Sequence, residues 1–144
     1  MSLLTMIILV LVMLGISTLR SSEKAARIGP ATQVAEALLS EVLYDVENDD
    51  PPGTKASFWA STAGVPWRSA VPITVGGVKY EYTLYADLVT DVGGVPVGTL
   101  AGEPGNRVMK ADLVLTWWDS GSSGGVRKGY GKLETTASRI VNER

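Results

Sequence analysis

The sequence has no cysteine and no histidine. The first absence removes disulfides, so a domain outside the cytoplasm must hold itself together by packing alone. The second removes the commonest general base and the commonest metal ligand. Together they exclude Cys/His zinc sites and the Ser-His-Asp and Cys-His forms of nucleophilic catalysis. A basic excess is missing as well, with 13 Lys and Arg against 15 Asp and Glu and a formal net charge of −2. Nucleic acid needs a concentrated basic face and an anionic lipid surface needs a polybasic cluster, and neither is present. Gly93-Gly94 and Gly124-Gly125 lack phosphate-loop spacing and read as turn glycines.

One further absence is local. No residue from Met1 to Leu19 is charged, and the first charge is Arg20. Leu3, Leu4, Met6, Ile7, Ile8, Leu9, Val10, Leu11, Val12, Met13, Leu14 and Ile16 make a nearly unbroken apolar run. Its length is near the lower limit of about 17–25 residues for a spanning helix. Backbone groups in hydrocarbon must pair internally, so helix is the conformation expected there. Nothing basic precedes the run and Glu23, Lys24 and Arg27 follow it, which is not the layout of a cleaved signal peptide. A core helix apolar on every side would need a larger protein around it. Residues 1–19 therefore read as a single-pass membrane anchor kept in the mature chain.

From Arg20 to Asn48 the pattern predicts continued helix, with a kink at Gly29-Pro30. Beyond it Val34, Leu38, Val42 and Val46 recur every four residues beside Ala35, Leu39 and Leu43, while Glu36, Glu41, Asp45 and Glu47 turn outward. Residues 20–48 thus form an amphipathic stem, and 49–144 a globular β-rich head. Asp49-Asp50-Pro51-Pro52-Gly53 is a helix stop. Thr54 to Pro72 has no clean period and reads as a connection packed partly on the core. A hairpin signal follows at Ile73-Thr74-Val75-Gly76-Gly77-Val78. Alternation then predicts a strand from Val78 to Leu88, a glycine- and proline-rich loop, a strand from Val108 to Trp118, a Gly/Ser turn, and a last strand from Val126 to about Ile140. The fold class expected is α+β: a long N-terminal helix, apolar and then amphipathic, packed on an antiparallel sheet of about four strands.

Candidate sites are few. Glu47, Asn48, Asp49 and Asp50 offer calcium-type oxygens, but their spacing is not that of an EF-hand and a solvated helix end accounts for them. Asp119-Ser120-Gly121-Ser122-Ser123 reads as a hairpin turn. Adjacent Trp117 and Trp118 must face opposite sides of a strand, so one belongs to the core and the other to a surface open to interaction. No carboxylate pair, lysine or serine stands in a catalytic setting. The reading is a non-enzyme without cofactor or metal.

The run from Met1 to Ile16 resembles the mature N-terminus of type IV pilins and type II secretion pseudopilins, which remains after prepilin peptidase cuts behind a glycine. Leu113-Val114-Leu115-Thr116-Trp117-Trp118-Asp119, a Gly/Ser turn, Arg127 and Leu133-Glu134-Thr135-Thr136 resemble the closing hairpin of PilV-type minor pilins. The resemblance implies a structural filament subunit, held in the inner membrane and then built into an extracellular pilus or periplasmic pseudopilus. Met1 would be the processed, methylated N-terminus, and Leu3 to Ile16 would pack on other pilin subunits at the filament core. The implied partners also include the pilus assembly platform and prepilin peptidase. Thr5 stands where most members of the family have glutamate. In the family picture that carboxylate pairs a neighbour's N-terminal amine in an apolar core, where an unpaired ammonium is costly. Thr5 therefore implies a tip or priming minor subunit, or a filament that satisfies the amine differently. Two other readings stay open: the major subunit of an unusual pilus, and an anchored extracytoplasmic binding module that does not polymerise.

Overall fold

The computed structural model describes residues 13–14, 29–98, 106–118 and 132–143. Helix α1 covers residues 29–48. Ala31, Ala35, Leu39, Val42 and Val46 are its buried positions, and their spacings of four, four, three and four keep them on one side of a 3.6-residue helix. The buried line is rotated from the one read in the sequence. Val34, Leu38 and Leu43 are only half-buried flanks, while the small Ala31 and Ala35 lie at the centre. Small side chains let the first half of α1 come close to the layer beneath it.

The expectation of a long N-terminal helix, apolar and then amphipathic, over a sheet is corrected here. The helix that packs on the sheet is about twenty residues long and amphipathic, and no long apolar helix is found among the described residues. Gly29 and Pro30 are the first described residues of α1, so the expected kink lies at the border of the described residues. None of the described helices is long and apolar enough to cross a membrane.

After α1 the backbone reverses within a few residues. Asp49 takes φ 53, the Asp50–Pro51 bond is cis and Gly53 takes φ 94. A short helix α2, Thr54–Trp59, follows. Strands β1 (Pro66–Val75), β2 (Val78–Leu88), β3 (Val108–Trp118) and β4 (Lys132–Asn142) then form a four-stranded antiparallel meander in the order β1-β2-β3-β4. Gly76 and Gly77, at φ 58 and 79, join β1 to β2 by the two-residue turn that needs positive φ at both positions.

One face of this sheet meets α1. Tyr80, Tyr82, Leu84 and Ala86 of β2, Met109, Ala111, Leu113, Leu115 and Trp117 of β3, and Ala137 of β4 are buried on it. The register aligns them across the strands: Leu84 lies opposite Leu113, and Leu113 opposite Ala137. Phe58 and Trp59 of α2 complete the core. Thr32 of α1 and Thr135 of β4 join their hydroxyls at 3.3 Å, and Arg139 of β4 approaches Glu36 of α1 at 3.7 Å.

Candidate functional site

The described surface has a concavity where the second half of α1 runs beside β4. Leu43, Val46, Trp59 and Val141 give it an apolar floor, and Ser40, Glu47, Lys55, Arg139 and Asn142 a polar rim, around a cleft of about 460 Å³. Tyr44 and Ile140 stand at its mouth and are 67% and 58% exposed.

A second concavity, which shares Lys55 and Trp59 with the first, is lined by a clip between the two strand ends. Arg107 donates through Nε and an Nη to the two carboxylate oxygens of Glu143, at 2.7 and 2.8 Å. Its other Nη donates to the Trp59 carbonyl at 3.2 Å, and its guanidinium lies 5.6 Å from the centre of the Trp59 ring. The Glu143 carboxylate raises the Arg107 pKa further. Sequence spacing gave no sign of this clip. The two residues are far apart in the chain, and they meet only because the antiparallel register of β3 and β4 continues one step past Val108 and Asn142.

Beside it, Asp49 closes the α1–α2 connection. Its Oδ1 accepts the Gly53 N–H at 3.0 Å and the Lys55 N–H at 2.8 Å. These backbone donors, Lys55 first and then Gly53, hold the carboxyl below its ordinary pKa. The oxygen weighed as a cation ligand is thus aimed into its own loop, and Asn48 Nδ2 donates to the Tyr44 carbonyl at 2.8 Å. Among the described residues no three His, Cys, Asp or Glu converge on a point. A carboxyl whose folded pKa is lowered contributes stability that is present above its unfolded pKa and is lost as pH falls through the folded one. Asp49→Asn is therefore expected to lower the melting temperature at pH 7 and to lose that difference progressively as pH falls below the ordinary carboxylate range and through the lowered folded pKa. Melting curves across this range check it, and a difference that did not shrink would refute the charged role.

On the other face of the sheet Lys110 Nζ reaches Asp112 Oδ2 at 2.8 Å, and the Ser138 hydroxyl donates to Asp112 Oδ1. Burial pushes the Asp112 carboxyl up, while Lys110 and Ser138 more than offset it and leave the net shift downward. Asp87 accepts the Gly64 N–H at 2.9 Å and so ties the α2–β1 loop to β2. Each of these charged groups is engaged with another part of the protein. Asp112 is set beside the Ser138 hydroxyl, but Lys110 holds the same carboxylate.

The residues singled out in the sequence divide sharply. Met1, Leu3, Leu4, Thr5, Met6, Ile7, Ile8, Leu9, Val10, Leu11, Val12 and Ile16 lie outside the described residues, as does the Asp119–Ser123 turn. Met13 and Leu14 are described, helical and exposed. Trp117 is in the core, 5% exposed and 5.8 Å from the Tyr80 ring, so it is removed from the candidate interaction surface. Trp118 is half-buried on the opposite face of β3. Trp59 and Trp67 both belong to an aromatic cluster around Phe58, with edge-to-face contacts at 5.6 and 5.2 Å. No family model, no curated protein and no solved structure matches the chain.

Proposed function

We propose that this chain is a structural subunit of a type IV pilus or a related secretion filament, serving as a minor subunit at or near the tip. The reading rests on one juxtaposition. The uncharged stretch from Met1 to Leu19 comes shortly before a helix whose single apolar side is docked on a sheet. A chain so divided needs two environments: an apolar one for its beginning, in lipid or among other helices, and water for the rest. The groups of the described head hold the fold together, in clips, loop closures and strand ties, which suits a structural part. Inner membrane before assembly, pilin subunits through their N-terminal segments, the assembly platform and prepilin peptidase are the surroundings this role entails. Thr5, which brings no charge to an apolar filament core, favours a place where no neighbour's amine has to be neutralised.

The test is fractionation of cells that make the chain with an epitope tag. Filaments sheared from the surface are expected to contain it at well below one copy per major subunit. Recovery in the membrane fraction alone, beside abundant filaments, would defeat the proposal and leave an anchored binding module. Equal abundance with the major subunit would defeat the minor role.

A further inference from the structure

The two edges of the sheet are built differently. Gly76-Gly77 is a two-residue turn, so Val75 and Val78 are the hydrogen-bonded pair that closes the β1–β2 hairpin. Bonded and non-bonded pairs alternate along an antiparallel ladder. Pro72, opposite Glu81, therefore takes a position whose N–H would point outward, and Pro66, opposite Tyr85, stands on the same edge strand beyond two register shifts. Neither proline has an N–H to offer. Between them Ala70, at φ 51, bends the strand in an irregular register. Prolines and bulges of this kind close an edge to further pairing.

Strand β4 has no such protection. The Glu143 N–H donates to the Arg107 carbonyl at 2.9 Å, which makes 143 and 107 a bonded pair, and the register runs from there without a bulge. The N–H of Val89 on the Val108 carbonyl, at 2.9 Å, gives β3 the complementary alternation toward β2. It follows that Leu133, Thr135, Ala137, Arg139 and Val141 turn their backbone groups to β3. Lys132, Glu134, Thr136, Ser138, Ile140 and Asn142 turn theirs to the open side. No backbone bond from outside the sheet reaches them among the described residues. Ser138, Arg139 and Ile140 are consecutive and all exposed, as an uncovered edge requires.

We infer that β4 is an assembly edge and that its occupant is β4 of a second copy, paired antiparallel about Ala137. The strand is self-complementary in that register. On the helix side Leu133 meets Val141, Thr135 meets Arg139, and Ala137 meets its own copy without crowding. On the open face Lys132 meets Asn142, Glu134 meets Ile140, and Thr136 meets Ser138. No like charges face each other, and the whole strand is used. Moving the axis one residue to Thr136 would set Leu133 against Arg139. Joined this way the two sheets become one continuous eight-stranded sheet with β1 at both ends, each closed by its prolines.

The absence of native cysteine gives a direct test in the full chain, oxidised inside the cells that make it. Residues opposite each other in a non-bonded pair have Cα atoms about 4.5 Å apart, within the disulfide range of roughly 4.4–6.8 Å. Ala137→Cys is expected to give a band of twice the chain mass on a non-reducing gel. Ile140→Cys should not, because its copy would lie roughly 20 Å away along the strand. Because Ala137 is buried, exposed positions provide a second reading: a chain with Thr136→Cys, co-expressed with a differently tagged chain carrying Ser138→Cys, should give the mixed dimer. Adding Ile140→Pro to Ala137→Cys should abolish the band, since that N–H serves only the outer pairing. Three results would each overturn the inference: absence of both cross-links, a dimer band as strong from Ile140→Cys as from Ala137→Cys, or a band joining the Ala137→Cys chain to a different protein. A negative result leaves the filament proposal untouched, because that proposal does not use this edge.

Discussion

Phe58→Ala is expected to destabilise the domain by about 3–5 kcal/mol, the range for truncating a fully buried aromatic side chain. Phe58 has no solvent exposure and sits between Trp59 and Trp67, both edge-to-face with its ring. Its removal takes away the surface on which both indoles rest. The Trp67 indole N–H bonds to the Ser57 hydroxyl at 3.2 Å, and the Arg68 guanidinium lies 4.6 Å from the Trp67 ring. The start of β1 therefore depends on the same cluster. Denaturant unfolding followed by tryptophan fluorescence reads the stability and the local change together. Phe58→Leu, which keeps most of the volume, should cost much less, roughly 1 kcal/mol. Equal and small effects from both substitutions would show that α2 is not part of the cooperative core.

Ala35→Glu should undock α1. Ala35 has no exposure and lies in the centre of the buried line. A glutamate there is too large for the gap and brings a charge without a partner, each a recognised cause of severe loss. The expected cost is more than about 3 kcal/mol, with faster amide exchange along residues 29–48 than in β2 and β3. Glu41 is exposed on the same helix, and Glu41→Ala should stay within about 0.5 kcal/mol. If the line of Val34 and Leu38 were the true centre instead, Val34→Glu would do the greater damage. The comparison therefore tests the rotation of the helix itself.

What the sequence disclosed follows from where a regular period survives. Strands β2 and β3 are legible from Tyr80 to Leu88 and from Met109 to Trp117, because both are flanked by neighbours and alternate without interruption. Strand β1 is legible only from Ile73 to Val75. Its earlier part, from Pro66, is bulged at Arg68 and Ala70, and a bulge shifts the alternation by one residue and erases the signal. Helix α2 is six residues long, too short to show a period, and it hides in what reads as a connection. The amphipathic character of α1 is plain in the sequence, but not its rotation. Leucine and valine attract attention in a stripe, whereas close packing on a sheet selected Ala31 and Ala35. The long helix expected from Met1 onward extrapolates from an apolar run to a helix continuous with α1. Among the described residues only the amphipathic part, from Gly29 on, is found packed on the sheet. The Arg107–Glu143 clip needs the strand register, which only the assembled sheet supplies.

The order of the strands bears on how the chain reaches this state. Every strand pairs with its neighbour in sequence, so the sheet can be laid down one hairpin after another. Helix α1 is different: its link to β4, from Thr32 to Thr135, closes a loop of 103 residues. Loop closure over such a distance has to precede the contacts that reward it. Helix α1 is thus made before the sheet it packs on, and until β4 arrives its apolar line has no complete surface to cover. That interval, between a finished stripe and an unfinished sheet, is when the chain is most open to capture by a helper protein or by its own copies.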